Sequence, residues 1–110
     1  MALNYYLLIL NTTDPNRWNC VKYARARCPK LPFGLWTIKD KKNIINDDKA
    51  RPGSIAIIKT NFPWGHVAVV RRKDGRNIII KEANFQYGRV TERCGSEKSL
   101  NILGYFNPNK

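Results

Sequence analysis

The sequence predicts an α+β fold, with an N-terminal helix packed on an antiparallel sheet of about five strands, in one domain spanning residues 1–110. Three observations predict it. A helix-period segment lies between Asp14-Pro15 and Cys28-Pro29, and the second half of the chain breaks into short β-branched runs separated by turn residues. With 110 residues, 43% of them hydrophobic, the chain can bury one core and is too short for two ordinary domains.

The first apolar run, Tyr5 to Leu10, fits an edge strand or an N-terminal helical turn equally well. It is far shorter than the roughly 20 residues of a bilayer span. No membrane span is expected, and no basic segment or small-residue cleavage site marks a secretory signal. In "DPNRWNCVKYARARCPK", Asp14 suits an N-cap, Pro15 a first helical position, and Pro29 a stop, which predicts a helix over Pro15 to Arg27. At about 100° per residue, Cys20, Val21, Ala24 and Cys28 share one quadrant, with Lys22 and Ala26 opposite. Cys20 therefore points inward near the helix N-terminal end. The Pro, Gly, Asn and Asp content of residues 30–51 predicts a loop-rich stretch with a short turn of helix. Strands follow at residues 54–60, 66–72, 77–82, 88–93 and 101–106.

Charge sets the class of partner. Twenty Lys and Arg against eight Asp and Glu give a net charge of +12, so the partner is expected to be anionic. The basic residues are dispersed, in groups such as Lys39, Lys41 and Lys42 or Arg71, Arg72 and Lys73, without a basic helix, zinc finger or aromatic RNA-binding signature. Nucleic acid is thus an unspecific reading and not the expected partner, and an anionic wall polymer or phosphate-rich surface serves as well. Three cysteines at irregular spacing with one histidine form neither a zinc site nor a disulfide framework, although a Cys28–Cys94 bond is open.

The single histidine, His66, lies in "PWGHVAVV", and its surroundings depend on the hairpin through "RKDGR". Two registers compete. A two-residue Asp74-Gly75 loop pairs Lys73 with Arg76, sets His66 opposite Ala83 and turns Glu82 to the other face. A three-residue loop ending in a left-handed Gly75 pairs Arg72 with Arg76 and sets His66 across from Glu82. The second register lines one face with Ala68, Val70, Ile78 and Ile80, with His66, Glu82 and Asn84 at its end, where the helix carrying Cys20 could approach small Ala68.

That arrangement would make Cys20 a nucleophile, His66 its general base, Glu82 the group that orients the ring and Asn84 a further polar support. A nearby imidazole and a helix N-terminus both favour thiolate, and free N–H groups there can stabilise an oxyanion. Taken singly, each residue has a structural use: Cys20 as a small core side chain, His66 as a hydrogen-bonded core residue, Glu82 as a solvated strand end. Cys28, at the helix C-terminal end where the dipole opposes a thiolate, reads as core. Cys94, in a turn-like "RCGS", reads as an exposed thiol. Trp18, Trp36, Trp64 and Phe85 are groove candidates, with core packing expected for at least half of them; Trp64, just before Gly65-His66, is the best placed, and Phe85 joins it as a substrate contact.

Five blocks, "NCVKYA" (19–24), "RPGSIAII" (51–58), "GHVAVV" (65–70), "EANF" (82–85) and "GYFNP" (104–108), resemble in order the CHAP family of cysteine- and histidine-dependent amidohydrolases and peptidases, within the NlpC/P60-like superfamily. The resemblance spans nearly the whole chain. It implies a papain-like fold with Cys20 as nucleophile, His66 as base, and Glu82 and Asn84 as the other polar members. It further implies hydrolysis of an amide bond in bacterial peptidoglycan, as an N-acetylmuramoyl-L-alanine amidase or an endopeptidase, by a lysin or antibacterial effector. No cofactor is implied. Some relatives bind calcium through an acid-rich loop before the catalytic helix, but "NTTDPNRWN" carries only Asp14, so no metal is expected. Without a visible signal, the protein is expected to be made in the cytoplasm and to reach the wall after delivery or lysis, with a delivery or immunity protein as a further partner. The alternatives are a non-enzymatic basic module binding nucleic acid or another polyanion, and the same fold acting as a deamidase or acyltransferase.

Overall fold

The computed structural model describes residues 5–110, so the first four residues of the expected 1–110 domain lie outside the described residues. The elements run β1 (Tyr5–Leu10), α1 (Cys20–Arg27), α2 (Ile38–Asn43), β2 (Ile55–Ile58), β3 (His66–Asp74), β4 (Asn77–Ala83), β5 (Val90–Gly95) and β6 (Ile102–Phe106). The α+β class holds. The sheet has six strands rather than about five, in the order β1-β5-β4-β3-β2-β6, because Tyr5 to Leu10 forms an edge strand against β5.

All neighbours pair antiparallel. Strand β2, "IAII", is buried at every position because it lies between β3 and β6 and is covered on both faces. Its odd residues Ile55 and Ile57 join Val67, Ala24, Cys28, Leu31 and Leu35 beneath α1. Its even residues Ala56 and Ile58 join Ala68, Val70, Ile78, Ile80, Leu100 and Tyr105 on the other side. Full burial of each such aliphatic side chain stabilises the fold by about 1.5–3 kcal/mol.

Helix α1 is shorter than the sequence suggested. Asp14 caps a separate turn by accepting from the Asn16 N–H at 2.8 Å, and the helix begins only after Asn19. Asn19 Oδ1 accepts from the Val21 and Lys22 N–H groups at 3.0 Å each, so a second capping side chain ends the turn and starts the helix. Cys20 becomes the first helical residue. At the other end Cys28 closes the helix through its N–H to Ala24 O, and Pro29 prevents continuation. The short helix foreseen in residues 30–51 is α2, opened by a reciprocal Thr37–Asp40 capping box.

Neither sequence register describes the β3–β4 hairpin. The loop is Gly75-Arg76, with Asp74 opposite Asn77, and an irregularity between Val70 and Arg72 shifts the pairing to Val70–Ile80 and Val69–Lys81. The extra residue at Arg71 returns Val70, Ala68, Ile78, Ile80 and Glu82 to one face. Continued by one residue, the pairing sets Glu82 beside Ala68, with His66 on the diagonal rather than directly across. The helix also packs on the face opposite to the expected one: Leu100 and Tyr105 fill the Ala68 side, and α1 docks on Val67 and Ile57.

Candidate active site

Cys20 and His66 meet because each is the first residue of its element, α1 and β3, so both stand at the rim of the sheet. A helix on the unexpected face therefore still delivers its thiol to the imidazole. Gly65 fixes the approach to His66. It has φ +66°, and a Cβ there would lie 2.5 Å from Ile38 Cδ1 and 3.2 Å from Ile58 O, so a larger residue meets both backbone strain and a wall.

His66 is buried, and its Nε2 contacts Glu82 Oε1 at 3.0 Å. The Cys20 sulfur faces the same groove lobe as the His66 ring, close enough for each to shift the other's protonation. With Nε2 engaged by the carboxylate, Nδ1 is the ring atom left for sulfur. Burial alone would lower the His66 pKa, but the hydrogen bonds and charges of Cys20 and Glu82 outweigh it and push it up to about 9. Burial likewise opposes ionisation of Cys20, and His66, the Val67 N–H and Lys41 together bring the thiol below its ordinary value. The arrangement can hold a thiolate–imidazolium pair at neutral pH.

Glu82 is fully buried and saturated with donors. Arg93 gives it two N–H groups, Nε to Oε2 at 2.9 Å and Nη2 to Oε1 at 2.7 Å, and Thr91 Oγ1 donates to Oε2 at 3.1 Å. Burial raises the Glu82 pKa, but His66 and Arg93 overcome this and hold the carboxyl below its ordinary value. Phe85, 6.0 Å from the His66 ring, stacks 3.6 Å from the Arg93 guanidinium, and Tyr5 flanks the same group at 5.0 Å. Neither Arg93 nor Thr91 was picked out from the sequence. The alternation in "VTER" carries the signal, because Thr91 pairs directly with Glu82 and Arg93 follows two residues later on the same face.

Asn84 sits at the mouth but does not extend the chain of hydrogen bonds to His66. Its Nδ2 donates to Trp18 O at 3.0 Å and its Oδ1 accepts from Gly88 N at 2.8 Å. The backbone there is left-handed, φ 62°, a conformation Asn tolerates. Asn84 thus ties the β4–β5 loop to the segment leading into Cys20 and lines the groove.

The groove has two lobes that share Trp64, Gly65, His66 and Asn84. One, of about 390 Å³, is headed by Cys20 and bounded by Trp18, Phe33, Trp36 and Lys41. The other, of about 470 Å³, is lined by Phe62, Phe85, Tyr87 and polar side chains including Thr60 and Asn101. Trp64 stands between them, stacked on Phe62 at 4.7 Å. Trp18, Trp36 and Trp64 are 50%, 79% and 52% exposed, so the expectation that half of the aromatic candidates pack in the core fails: small β-branched side chains fill the core and the indoles rim the groove.

The other thiols lie apart. Cys28 is buried in the core beneath α1, where burial pushes its thiol up, as the helix reading anticipated. Cys94 is half-buried within β5, paired to Tyr6 and Ile79, not in a turn. All three cysteines are free, so the open Cys28–Cys94 bond is not formed. Among the described residues, no cluster of three or more His, Cys, Asp or Glu is placed to hold a metal, and no helix is long and apolar enough to cross a membrane.

Comparison with known proteins gives a family and several solved structures. No curated protein matches the chain. The solved structures that match include "The crystal structure of Ly7917 with the hydrolyzing product of MDP" and "The crystal structure of Ly7917", each at 27% identity over 50% of this chain and 26% of theirs, with TM-scores of 0.44 and 0.42. The matched part thus spans about a quarter of the Ly7917 chain. The family model of the CHAP domain covers residues 11–84, which include Cys20, His66, Glu82 and Asn84. The chain belongs to the CHAP domain family.

Proposed function

We propose that this chain is a single papain-like catalytic domain that hydrolyses an amide bond of bacterial peptidoglycan through Cys20, His66 and Glu82. One observation carries the reading: the Cys20 thiol, at the start of α1, shares a groove lobe with the His66 ring, which is held 3.0 Å from the buried Glu82 carboxylate where the two lobes join. The Cys20 thiolate attacks the amide carbonyl carbon, and the oxyanion that forms lies near the N–H of Cys20, a first-turn helix donor without an intrahelical acceptor. The His66 imidazolium gives its proton to the amine as the C–N bond breaks, leaving a thioester on Cys20. Water then attacks the thioester, neutral His66 takes its proton, the C–S bond breaks, and the carboxylic acid leaves. Glu82 holds the ring in the required tautomer and stabilises its charged form. Trp64 and Phe85 contact the substrate from the groove wall.

The net charge of +12 supports long-range attraction to an anionic wall once delivery or lysis brings the protein there, as a lysin or antibacterial effector. The test is digestion of purified peptidoglycan of defined chemotypes, with new termini identified by mass spectrometry. Wild type releases fragments, and Cys20→Ala binds the wall but releases none. A new amine on the stem alanine identifies an amidase; one elsewhere identifies an endopeptidase. Wall binding without release by either protein would replace the enzyme with a polyanion-binding module.

A further inference from the structure

The lobe headed by Cys20 differs in charge from its neighbour. Lys22, Arg25 and Lys41 line it, and no Asp or Glu does. Two of these cations are otherwise accounted for. Arg25 spends its guanidinium on Leu31 O at 3.1 Å, Pro32 O at 2.6 Å and the Phe33 ring, and Lys22 is exposed on the outer side of α1. Lys41 is different. It comes from α2, is only 2% exposed, and makes one hydrogen bond, Nζ to Leu35 O at 2.8 Å, with no carboxylate partner among the described residues. An ammonium has three donors, so two remain for whatever enters the lobe.

A buried cation without an anion is costly, and burial pushes the Lys41 ammonium below its ordinary value, a cost that an arriving anion would relieve. The Cys20 sulfur meets part of that need, since its charge favours the protonated form of Lys41 against burial. The reciprocal influence is the weakest of those acting on Cys20, behind the His66 hydrogen bond and charge. No hydrogen bond joins Lys41 to Cys20 among the described residues, so the ammonium keeps donors for a second anion.

We propose that Lys41 is a specificity-determining residue that binds a carboxylate of the substrate in the Cys20 lobe, so that the enzyme favours peptide stems whose carboxylates are free over those in which they are amidated. This rests on the peptidoglycan reading and adds to it the chemical form of the stem. The carboxylate displaces any water on Lys41 Nζ, the aromatic walls of Trp18 and Trp36 exclude solvent around it, and the scissile carbonyl is left at Cys20.

Two experiments test it, one independent of any wall substrate. Iodoacetate and iodoacetamide alkylate the same thiol and differ in carrying a carboxylate or its amide. Their plateau rates at Cys20 are followed by peptide mass spectrometry in wild type, Lys41→Met and Lys41→Arg. In Lys41→Met the iodoacetate rate falls about tenfold further than the iodoacetamide rate, as expected for loss of one charge-assisted contact, and Lys41→Arg restores most of the preference. The second experiment compares muropeptides with free and amidated stem carboxylates: Lys41→Met loses the preference for the free form, mainly through KM. Equal loss on both reagents, or no change in their ratio, overturns the carboxylate site and makes Lys41 a structural residue. If wild type shows the iodoacetate preference, sensitive to Lys41, but cleaves neither muropeptide, the carboxylate site stands and the wall substrate falls.

Discussion

The chain holds two carboxylates that are both buried and both saturated with donors, Glu82 and Asp47, yet they are built for different ends. Asp47 accepts from the Lys49 N–H, Arg51 Nε at 3.1 Å and Asn107 Nδ2 at 2.9 Å, with Lys110 Nζ 3.6 Å away. Its cations are half in water, and the group clamps the C-terminal segment to the loop before β2. Glu82 has no solvated partner: the side chains of His66 and Arg93 are 6% and 3% exposed, and Thr91 is buried. Hydrogen bonding by Asn107 is the largest influence on Asp47 and holds its carboxyl well below the ordinary range, and every partner there is a fixed cation or a neutral donor. Only Glu82 has a partner whose protonation can change near neutral pH. What separates a structural carboxylate from a site carboxylate is thus the chemistry of the group it holds, not its burial or the number of its donors.

Substitutions at the two acids sharpen that contrast. Glu82→Gln keeps the shape and removes the charge, and on the proposed mechanism turnover falls on the order of 10²–10⁴-fold. The proposed mechanism predicts a wild-type activity that rises with pH as Cys20 ionises and falls again as the His66 imidazolium loses its proton near about 9, read as a kcat/KM–pH profile. Because Glu82 is one of the groups raising the His66 pKa, the alkaline limb of kcat/KM in Glu82→Gln moves to lower pH. The same raised pKa makes a stability prediction. His66 contributes in full below its ordinary value of 6.5, and the contribution is lost as pH climbs through about 9, measurable as a melting temperature that falls across that window.

Arg93→Met strips the paired donors from Glu82 and leaves a buried, under-paired acid, which costs about 3–5 kcal/mol in denaturant unfolding. Turnover falls with it, by about 10–100-fold in the fraction that remains folded, as for loss of a second-layer orienting group. Gly65→Ala probes position without charge. The strained φ and the contact with Ile38 cost about 1–3 kcal/mol, and a displaced His66 lowers kcat more than it raises KM. Asp47→Asn comes last in effect on chemistry: the melting temperature falls, while the alkaline limb and kcat/KM stay at wild-type values. An alkaline limb that moved in Asp47→Asn and not in Glu82→Gln would break the distinction.

Much of this was legible in one sequence because strand alternation and helix periodicity report side-chain direction. Of the two registers left open, the three-residue loop placed Glu82, Ala68, Val70, Ile78 and Ile80 on one face correctly, although it miscounts the hairpin by two residues, while the two-residue loop, off by one, turned Glu82 away. The bulge at Arg71 was invisible, since local sequence does not say where a strand carries an extra residue, but an even error preserves the face. Tyr5 to Leu10 could not be assigned because its partner, β5, lies some 85 residues away, and an edge strand with weak alternation takes its identity from that partner. The start of α1 was placed too early because Asp14 and Asn19 are both competent caps. Arg93 and Lys41 were missed for one reason. A cation in an isolated sequence reads as solvated surface, and only tertiary packing reveals that it has been taken out of water.

The two N–H groups of Arg93 and the hydroxyl of Thr91 occupy the acceptor directions of Glu82 that His66 leaves free. A carboxylate so filled has no room to take up hydrogen from the ring. On the proposed mechanism the mobile proton therefore stays between sulfur, ring nitrogen and leaving group, with the acid acting as a fixed end stop. Agents that compete for the proton need to reach only that one short span, and the aromatic rim of the groove is the route by which they would arrive.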